Sequence, residues 1–271
     1  MSRQFLSDKF DPSKVSSLSL LLSYGSLTIL AMDHNDAVVN SQIHDYTGIE
    51  GLKNVIEECE LFLLTGIHGR LYVHNGYFSL VPGLVYDPDK KADYLNFATD
   101  ILSEKECVIF SNSVDSNNIY IIGALEKDIF QLFEDKLPVA KISHGSTIGL
   151  SYLLVNKYEF IGQEVFIILD NGHVYLSAFA SHELQVFNRF EVDSEEDLLK
   201  YLFILFKQIN FSQEYCKVNI LGDLKLVNSR KENLELYFRN IIVVDPSSNI
   251  NYLPGAERIK DTKNLDTHWT I

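Results

Sequence analysis

The fold is decided by residues 164–179, which read EVFIILDNGHVYLSAF. An apolar run over 164–169 is followed by the turn DNG at 170–172, and a second apolar run returns over 174–179. An Asn-Gly step between two apolar runs is a strong hairpin signal, because both residue types accept the positive φ that a tight turn requires. The stretch therefore predicts a buried antiparallel hairpin.

The residues after this hairpin complete a β-β-β-α-β unit. A third apolar run covers 184–190, and a capping box of Ser194 and Asp197 opens a helix over about 195–210. An apolar run over 218–221 then predicts the last strand. A helix between the third strand and a parallel fourth strand is the crossover that such a sheet needs.

The N-terminal part of the sequence follows the same plan. Its predicted elements are strands over 18–22, 27–32 and 37–43, a helix over about 48–59 opened by the capping box Thr47 and Glu50, and a strand over 61–64 that stops near Gly66. Gly25 lies 23 residues before the helix start at Gly48, and Gly172 lies 23 residues before the helix start at Glu195. We therefore predict an internal structural repeat; the alternative is that the pattern arose twice by chance.

Material between and after the two copies defines the predicted domains. Residues 1–160 form a first half with an inserted subdomain at about 67–143, residues 161–245 form a second half, and residues 246–271 form a C-terminal tail. The elements predicted around the insertion are a hairpin at Asn75-Gly76, helices over about 92–103 and 126–135, strands near 107–112 and 118–122, and a helix near 147–156 that leads into the second half.

Composition narrows the class of protein. The 271 residues include 37 acidic and 23 basic side chains, for a net charge of -14, and 46% are hydrophobic. A disordered chain would be poorer in apolar residues, and a nucleic-acid binder needs clustered Lys and Arg. The three scattered cysteines predict no disulfide and no zinc site, which is typical of a cytoplasmic protein. The uncharged stretch 15–32 is broken by Ser and Gly, so we expect a buried hairpin there rather than a membrane span.

The duplicated unit, with a hairpin turn near the start of each copy, resembles the ribonuclease-H-like, actin-like ATPase fold of the α/β class with mixed sheets. The resemblance implies two half-domains that face each other across a cleft, with each first hairpin cradling nucleotide phosphates through backbone N–H groups. It also implies a Gly-containing turn beside the adenosine. The matching candidate nucleotide-loop positions are Ser23, Gly25, Ser26, Asp170, Gly172 and Gly222.

Two stretches carry a narrower resemblance. The segment GYFSLVP at 76–82 and the block 174–205 are similar to an uncharacterised Bacteroidetes family of unknown function assigned to this fold. The block also looks like the pilus-assembly branch of actin-like proteins, whose members serve partly as scaffolds.

Departures from the pattern of an active ATPase set the functional expectation. Ser23 stands where an active member has an acidic residue, the first loop has no Lys, and the turn at Gly222 has one glycine instead of two. Asp170 is the only carboxylate retained, whereas phosphoryl transfer depends on positioning and charge neutralisation. We therefore expect a non-catalytic or vestigial cytoplasmic scaffold or interaction module with a protein partner.

Two alternatives remain. The first is an ATP-binding protein or slow magnesium-dependent ATPase that uses the cleft. The second, and the least favoured, is a nuclease, which would need carboxylates clustered on the first strands. No residue is assigned a catalytic or metal-binding role. Three other patterns are expected to be structural: the pair Asp33 and Asp36 as a solvated turn, the segment HGST at 144–147 as a helix cap, and the acidic run 191–197 as a solvated helix start.

Overall fold

A computed structural model describes residues 2–99, 106–115 and 118–271 of the chain. The strands are β1 (Ser2–Leu6), β2 (Val15–Ser23), β3 (Ser26–Asp33), β4 (Ala37–Asp45), β5 (His68–His74), β6 (Phe78–Pro82), β7 (Cys107–Val114), β8 (Ile119–Glu126), β9 (Val139–His144), β10 (Gln163–Asp170), β11 (His173–Ala180), β12 (Glu183–Glu191), β13 (Lys217–Leu221), β14 (Asn240–Val243) and β15 (Asn251–Tyr252). The α-helices are α1 (Gly48–Glu58), α2 (Lys91–Ala98), α3 (Lys127–Glu134), α4 (Ser146–Asn156), α5 (Glu195–Ile209) and α6 (Lys231–Leu234).

The chain divides into two compact units. Unit 1 comprises Met1–Thr147 and Ile250–Ile259, and unit 2 comprises Ile148–Asn249 and Lys260–Ile271. The domain limits expected from the sequence, at 160 and 245, stay a prediction. Within the described residues, no helix is long and apolar enough to cross a membrane.

Unit 2 contains the predicted hairpin of residues 164–179, formed by β10 and β11. Its five-stranded sheet has the order β12-β11-β10-β13-β14, with β10 antiparallel to β11 and parallel to β13. Helix α5 supplies the crossover between β12 and β13, and it buries Leu198, Leu202, Leu205 and Phe206 in the core of the unit. Each such side chain contributes about 1.5–3 kcal/mol when fully buried. The predicted β-β-β-α-β unit is confirmed here, and β14 extends it by a parallel strand that was not predicted.

Unit 1 repeats this strand order. Its main sheet runs β1-β4-β3-β2-β5-β9, with β15 paired to β4, so the stretch β4-β3-β2-β5-β9 corresponds to β12-β11-β10-β13-β14. Helices α1 and α5 begin at Gly48 and Glu195, as the spacing predicted. Strands β1, β9 and β15 were not predicted.

The strand predicted over 61–64 is wrong. Glu60–Leu63 forms a 3-10 helix, and the strand after α1 is β5, which pairs in parallel with β2. The neighbours Leu61 and Phe62 are both buried in the core, and a single helical turn places these two adjacent side chains there. The crossover therefore ends seven residues later than the apolar run indicated.

The hairpin predicted at Asn75-Gly76 is also wrong. Strands β5 and β6 belong to different sheets, and β6 pairs with β8 in a three-stranded sheet of order β6-β8-β7. The side chain of Asn75 donates to the carbonyl oxygen of Ala124 and accepts from the backbone N–H of Tyr77. These bonds turn the chain from one sheet into the next, so the Asn-Gly signal is a real turn between strands that do not pair.

The predicted helices have mixed outcomes. Those near 126–135 and 147–156 are confirmed as α3 and α4, while the helix predicted over 92–103 is α2, and residues 100–105 lie outside the described residues. At α5 the capping box is confirmed, because the Ser194 hydroxyl accepts from the N–H of Asp197 at 3.1 Å. At α1 it is wrong, since Thr47 makes no side-chain cap bond. Gly48, with a φ of +64°, leads the chain into that helix in a conformation unlike an ordinary first turn.

Candidate functional site

The first candidate loop is a two-residue turn between β2 and β3. Ser23 pairs with Ser26 across it, and Gly25 takes a φ of +76°. Tyr46 holds the turn from outside: its hydroxyl donates to the carbonyl oxygen of Ser23 at 2.8 Å, and its backbone N–H donates to the carbonyl oxygen of Gly25 at 2.9 Å. Two carbonyl groups of this loop are therefore already engaged.

The second candidate loop is the equivalent turn between β10 and β11. Asp170 pairs with His173, and Gly172 is the residue of the turn with a positive φ, +73°. Asn171 does not share this conformation. A Cβ added to Gly172 would meet nothing within 4 Å, so the backbone conformation alone requires glycine here.

Asp170 has a side chain that is held on both oxygens. Its Oδ1 accepts from the backbone N–H of Asn171 at 2.8 Å and from Nδ2 of Asn264 at 3.1 Å. Its Oδ2 lies 3.6 Å from Nε2 of His173, and the side chain is only 12% exposed. The carboxylate is thus part of an internal network of unit 2 that reaches the C-terminal segment Lys260–Ile271.

The third candidate position, Gly222, ends β13. It has a φ of +113°, and a Cβ there would lie 2.8 Å from both the Cβ and the carbonyl oxygen of Leu169. Glycine is therefore needed for two reasons, the conformation and the close approach to β10. The carboxylate of the next residue, Asp223, accepts from the N–H of Lys225 at 3.0 Å and caps a 3-10 helix over Leu224–Val227.

A cavity of about 630 Å³ opens beside Gly222, within unit 2. Its lining carries one acidic side chain, Asp223, and four basic ones. The lining residues are Gly222, Asp223, Leu224, Lys225, Asn228, Ser229, Arg230, Lys231, Val243 and Lys263. A cation-rich cavity is unexpected in a chain of net charge -14.

Only one of the four cations has an acidic partner among the described residues. Nζ of Lys231 lies 3.0 Å from Oε1 of Glu235, one helical turn away. For Lys225, Arg230 and Lys263, the described part of the chain places no carboxylate oxygen within 4.0 Å. The cavity can therefore accept an anion. The four cations lie outside the candidate turns, where a phosphate-binding Lys or Arg was expected, and they were not predicted. The closely spaced Lys225, Arg230 and Lys231 after Gly222 were a usable signal, whereas Lys263 gave none.

The other patterns have structural roles. Asp33 accepts from the N–H groups of Asn35 and Ala37 at 2.9 and 3.0 Å, so this segment is the turn that the sequence predicted. His144 is fully buried, and its Nδ1 accepts from the N–H of Ser146 at the start of α4, which confirms the predicted helix cap.

The sequence matches, over residues 8–241, the model of a family described as a protein of unknown function (DUF3822), and the chain belongs to this family. No curated protein matches the sequence.

The solved structures that are similar to the chain include the following two. One is a Bacteroides thetaiotaomicron protein described as having an actin-like ATPase fold and unknown function; it is 18% identical, the match covers 90% of this chain and 95% of that chain, and the TM-score is 0.75. The other is a PilM-PilN type IV pilus biogenesis complex, with 13% identity, coverage of 94% and 96%, and a TM-score of 0.62. The predicted actin-like ATPase fold is thereby confirmed. The nucleotide-loop role of the six candidate positions stays a prediction.

Proposed function

We propose that this member of the family is a non-catalytic, cytoplasmic interaction module built on the actin-like fold, which works through contacts with another protein. The observation that carries the proposal is an apolar surface patch on unit 2, formed by Phe203 and Ile204 of α5 and by Leu236 and Tyr237 after α6. These side chains are 37%, 51%, 79% and 46% exposed. The rings of Phe203 and Tyr237 meet edge to face with centroids 5.4 Å apart.

Such a patch favours a binding role because contiguous exposed apolar groups mark interaction sites, and aromatic side chains are enriched in interfaces. The similar structure is described as a PilM-PilN complex of type IV pilus biogenesis, and a complex between two proteins supports the same class of function for this chain. Three buried, unpaired cysteines support a reducing compartment.

Two side chains argue against catalysis. Ser23 offers a hydroxyl where a metal-holding carboxylate would be needed, and its own carbonyl is bonded to Tyr46. Asp170, the one remaining acid, is bonded to Asn171 and Asn264. If magnesium and ATP bound at these loops, Asp170 would be the side chain to hold the ion.

The partner contact can be tested by photo-crosslinking in the native host. A photoreactive amino acid at position 204 is expected to crosslink a discrete protein, and the same group at Glu183, an exposed position of β12 outside the patch, is the matched control. Adding Tyr237→Asp should abolish the product. Equal crosslinking at 204 and 183, or a product that survives Tyr237→Asp, would contradict the proposal.

ATP binding is the second candidate, and the observation that favours it is the positive φ at Gly25, Gly172 and Gly222. Backbone in this conformation presents N–H groups to phosphates. A rise in melting temperature with magnesium-ATP that is lost in Asp170→Asn would support it. Hydrolysis that is abolished by the same change would overturn the non-catalytic assignment.

A further inference from the structure

We infer that the cavity beside Gly222 is a binding site for a small polyanion, a ligand that carries at least two phosphate or carboxylate groups. The fold resemblance implies adenosine at this turn, and adenosine is uncharged. The side chains here are instead suited to negative charge.

Four cationic side chains are clustered around the cavity. Lys225 comes from the 3-10 helix after β13, Arg230 and Lys231 from the start of α6, and Lys263 from the C-terminal segment. Lys231 is paired with Glu235, but the other three like charges around the cavity repel each other, and a bound counter-charge removes this cost. In a chain where acidic residues outnumber basic ones by 37 to 23, this grouping is against the overall balance.

Three of these cations are available to bind an anion. Within the described residues Lys225, Arg230 and Lys263 lack an acidic partner, and the one acidic lining residue, Asp223, bonds to the backbone N–H of Lys225. An Arg guanidinium binds a carboxylate or phosphate through two parallel bonds, and Lys adds point charges around it. A volume of about 630 Å³ is within the usual range of small-ligand sites.

The C-terminal segment Lys260–Ile271 contributes one of the cations, Lys263. Lys263 adopts a φ of +59°, a left-handed conformation that is unfavourable for a residue with a side chain. The next residue, Asn264, donates to Asp170 and so fixes the segment to the end of β10. Because Lys263 lines the cavity, an anion bound to it stabilises the docked segment, and by linkage the docked segment strengthens anion binding.

The experiment is calorimetric titration of the full chain at about 0.15 M salt with inorganic pyrophosphate, citrate, ATP without metal, and adenosine. We expect pyrophosphate, citrate or both to bind, and adenosine not to bind. Preference for pyrophosphate identifies a phosphorylated ligand, and preference for citrate a polycarboxylate.

Two charge-matched variants locate the site. Lys225→Gln with Arg230→Gln should weaken the tighter anion about tenfold or more, because hydrogen bonds to charged groups are lost. Lys200→Gln with Lys207→Gln, on exposed positions of α5, removes the same charge and should leave affinity unchanged. Equal weakening in both variants means general attraction and overturns the proposal, as does the absence of binding by either anion or tighter binding of adenosine.

Hydrogen exchange gives a second readout that does not depend on the heat of binding. The tighter anion should slow amide exchange in Lys260–Ile271 of the wild-type chain, and Lys263→Gln should remove this protection. Binding without protection would overturn the coupling. None of these measurements depends on the protein-binding patch, so the two proposals fail independently.

Discussion

Gly222 is the residue at which unit 2 tolerates a side chain least. Its φ of +113° and the 2.8 Å distance that would separate an added Cβ from Leu169 leave a substituent neither a relaxed conformation nor space. We expect Gly222→Ala to lower the free energy of unfolding by roughly 3 kcal/mol, from backbone strain and overpacking together. Urea denaturation measures this loss.

Gly172→Ala is the matched control. Its φ is +73°, but a Cβ there meets nothing within 4 Å, so only the conformational cost of about 1 kcal/mol applies. Equal losses in the two variants would mean that contact with Leu169 contributes nothing.

The buried thiol of Cys216 should react with alkylating reagents only after unfolding. Burial raises the pKa of its thiol to about 12, so the native side chain stays a thiol where an exposed one would ionise. Iodoacetamide at pH 8 should leave Cys216 unlabelled in the native chain and label it in urea, because the thiolate is the nucleophile. Rapid labelling without denaturant would contradict this.

The same shift sets a stability trend. The folded pKa lies above the unfolded value, so the folded state binds the proton more tightly, and the contribution to stability is complete below the unfolded pKa. It is lost as the pH rises from about 9 towards 12. Cys216→Ala should therefore flatten the alkaline fall in the free energy of unfolding.

At the residue scale, the sequence predicted turn glycines better than ligand-binding charges. Gly25 and Gly172 were recognisable because a two-residue turn between apolar strands demands a conformation that few residues adopt. The cations around the cavity were not, because Lys263 reaches it from another part of the chain. No local pattern encodes that proximity.

At the scale of elements, helix α5 has a working N-cap and α1 does not. Ser194→Ala should reduce the free energy of unfolding by about 1 kcal/mol, because the N–H of Asp197 loses its acceptor. Thr47→Ala at α1 should change it by a few tenths at most, since Thr47 makes no cap bond. Thermal and urea unfolding of both variants check this, and a larger loss at Thr47 would contradict the assignment.

The strands show why the element prediction was incomplete. The strands from β10 to β13 were predicted since their apolar runs are long and are bounded by turns. Strand β5 begins with the polar sequence His68-Gly69-Arg70, so its role as the crossover partner of β2 was not recognised, and β9 contains Lys141, Ser143 and His144, so it has no strong apolar signal. They are strands because β2 and β5 offer them parallel partners, a tertiary effect that propensity does not contain.

At the scale of the whole molecule, a net charge of -14 means that the native state repels itself. Raising sodium chloride from about 0.02 to 0.5 M at pH 7 should increase the urea midpoint, because salt screens exposed charges. The gain should shrink near pH 5, close to the isoelectric point of about 4.9. An equal gain at both pH values would show that screening of net charge is not its cause.

The way unit 1 is assembled from two separated segments has a consequence for synthesis on the ribosome. Ile250, Ala256 and Ile259 complete a core cluster with Leu30 and other residues of the first sheet. Unit 1 therefore waits for about 100 further residues after Thr147, which takes roughly 5–20 s at the usual rates of elongation. During that interval the nascent chain exposes the apolar surface that these residues later cover, and a holding chaperone has its opportunity to bind there.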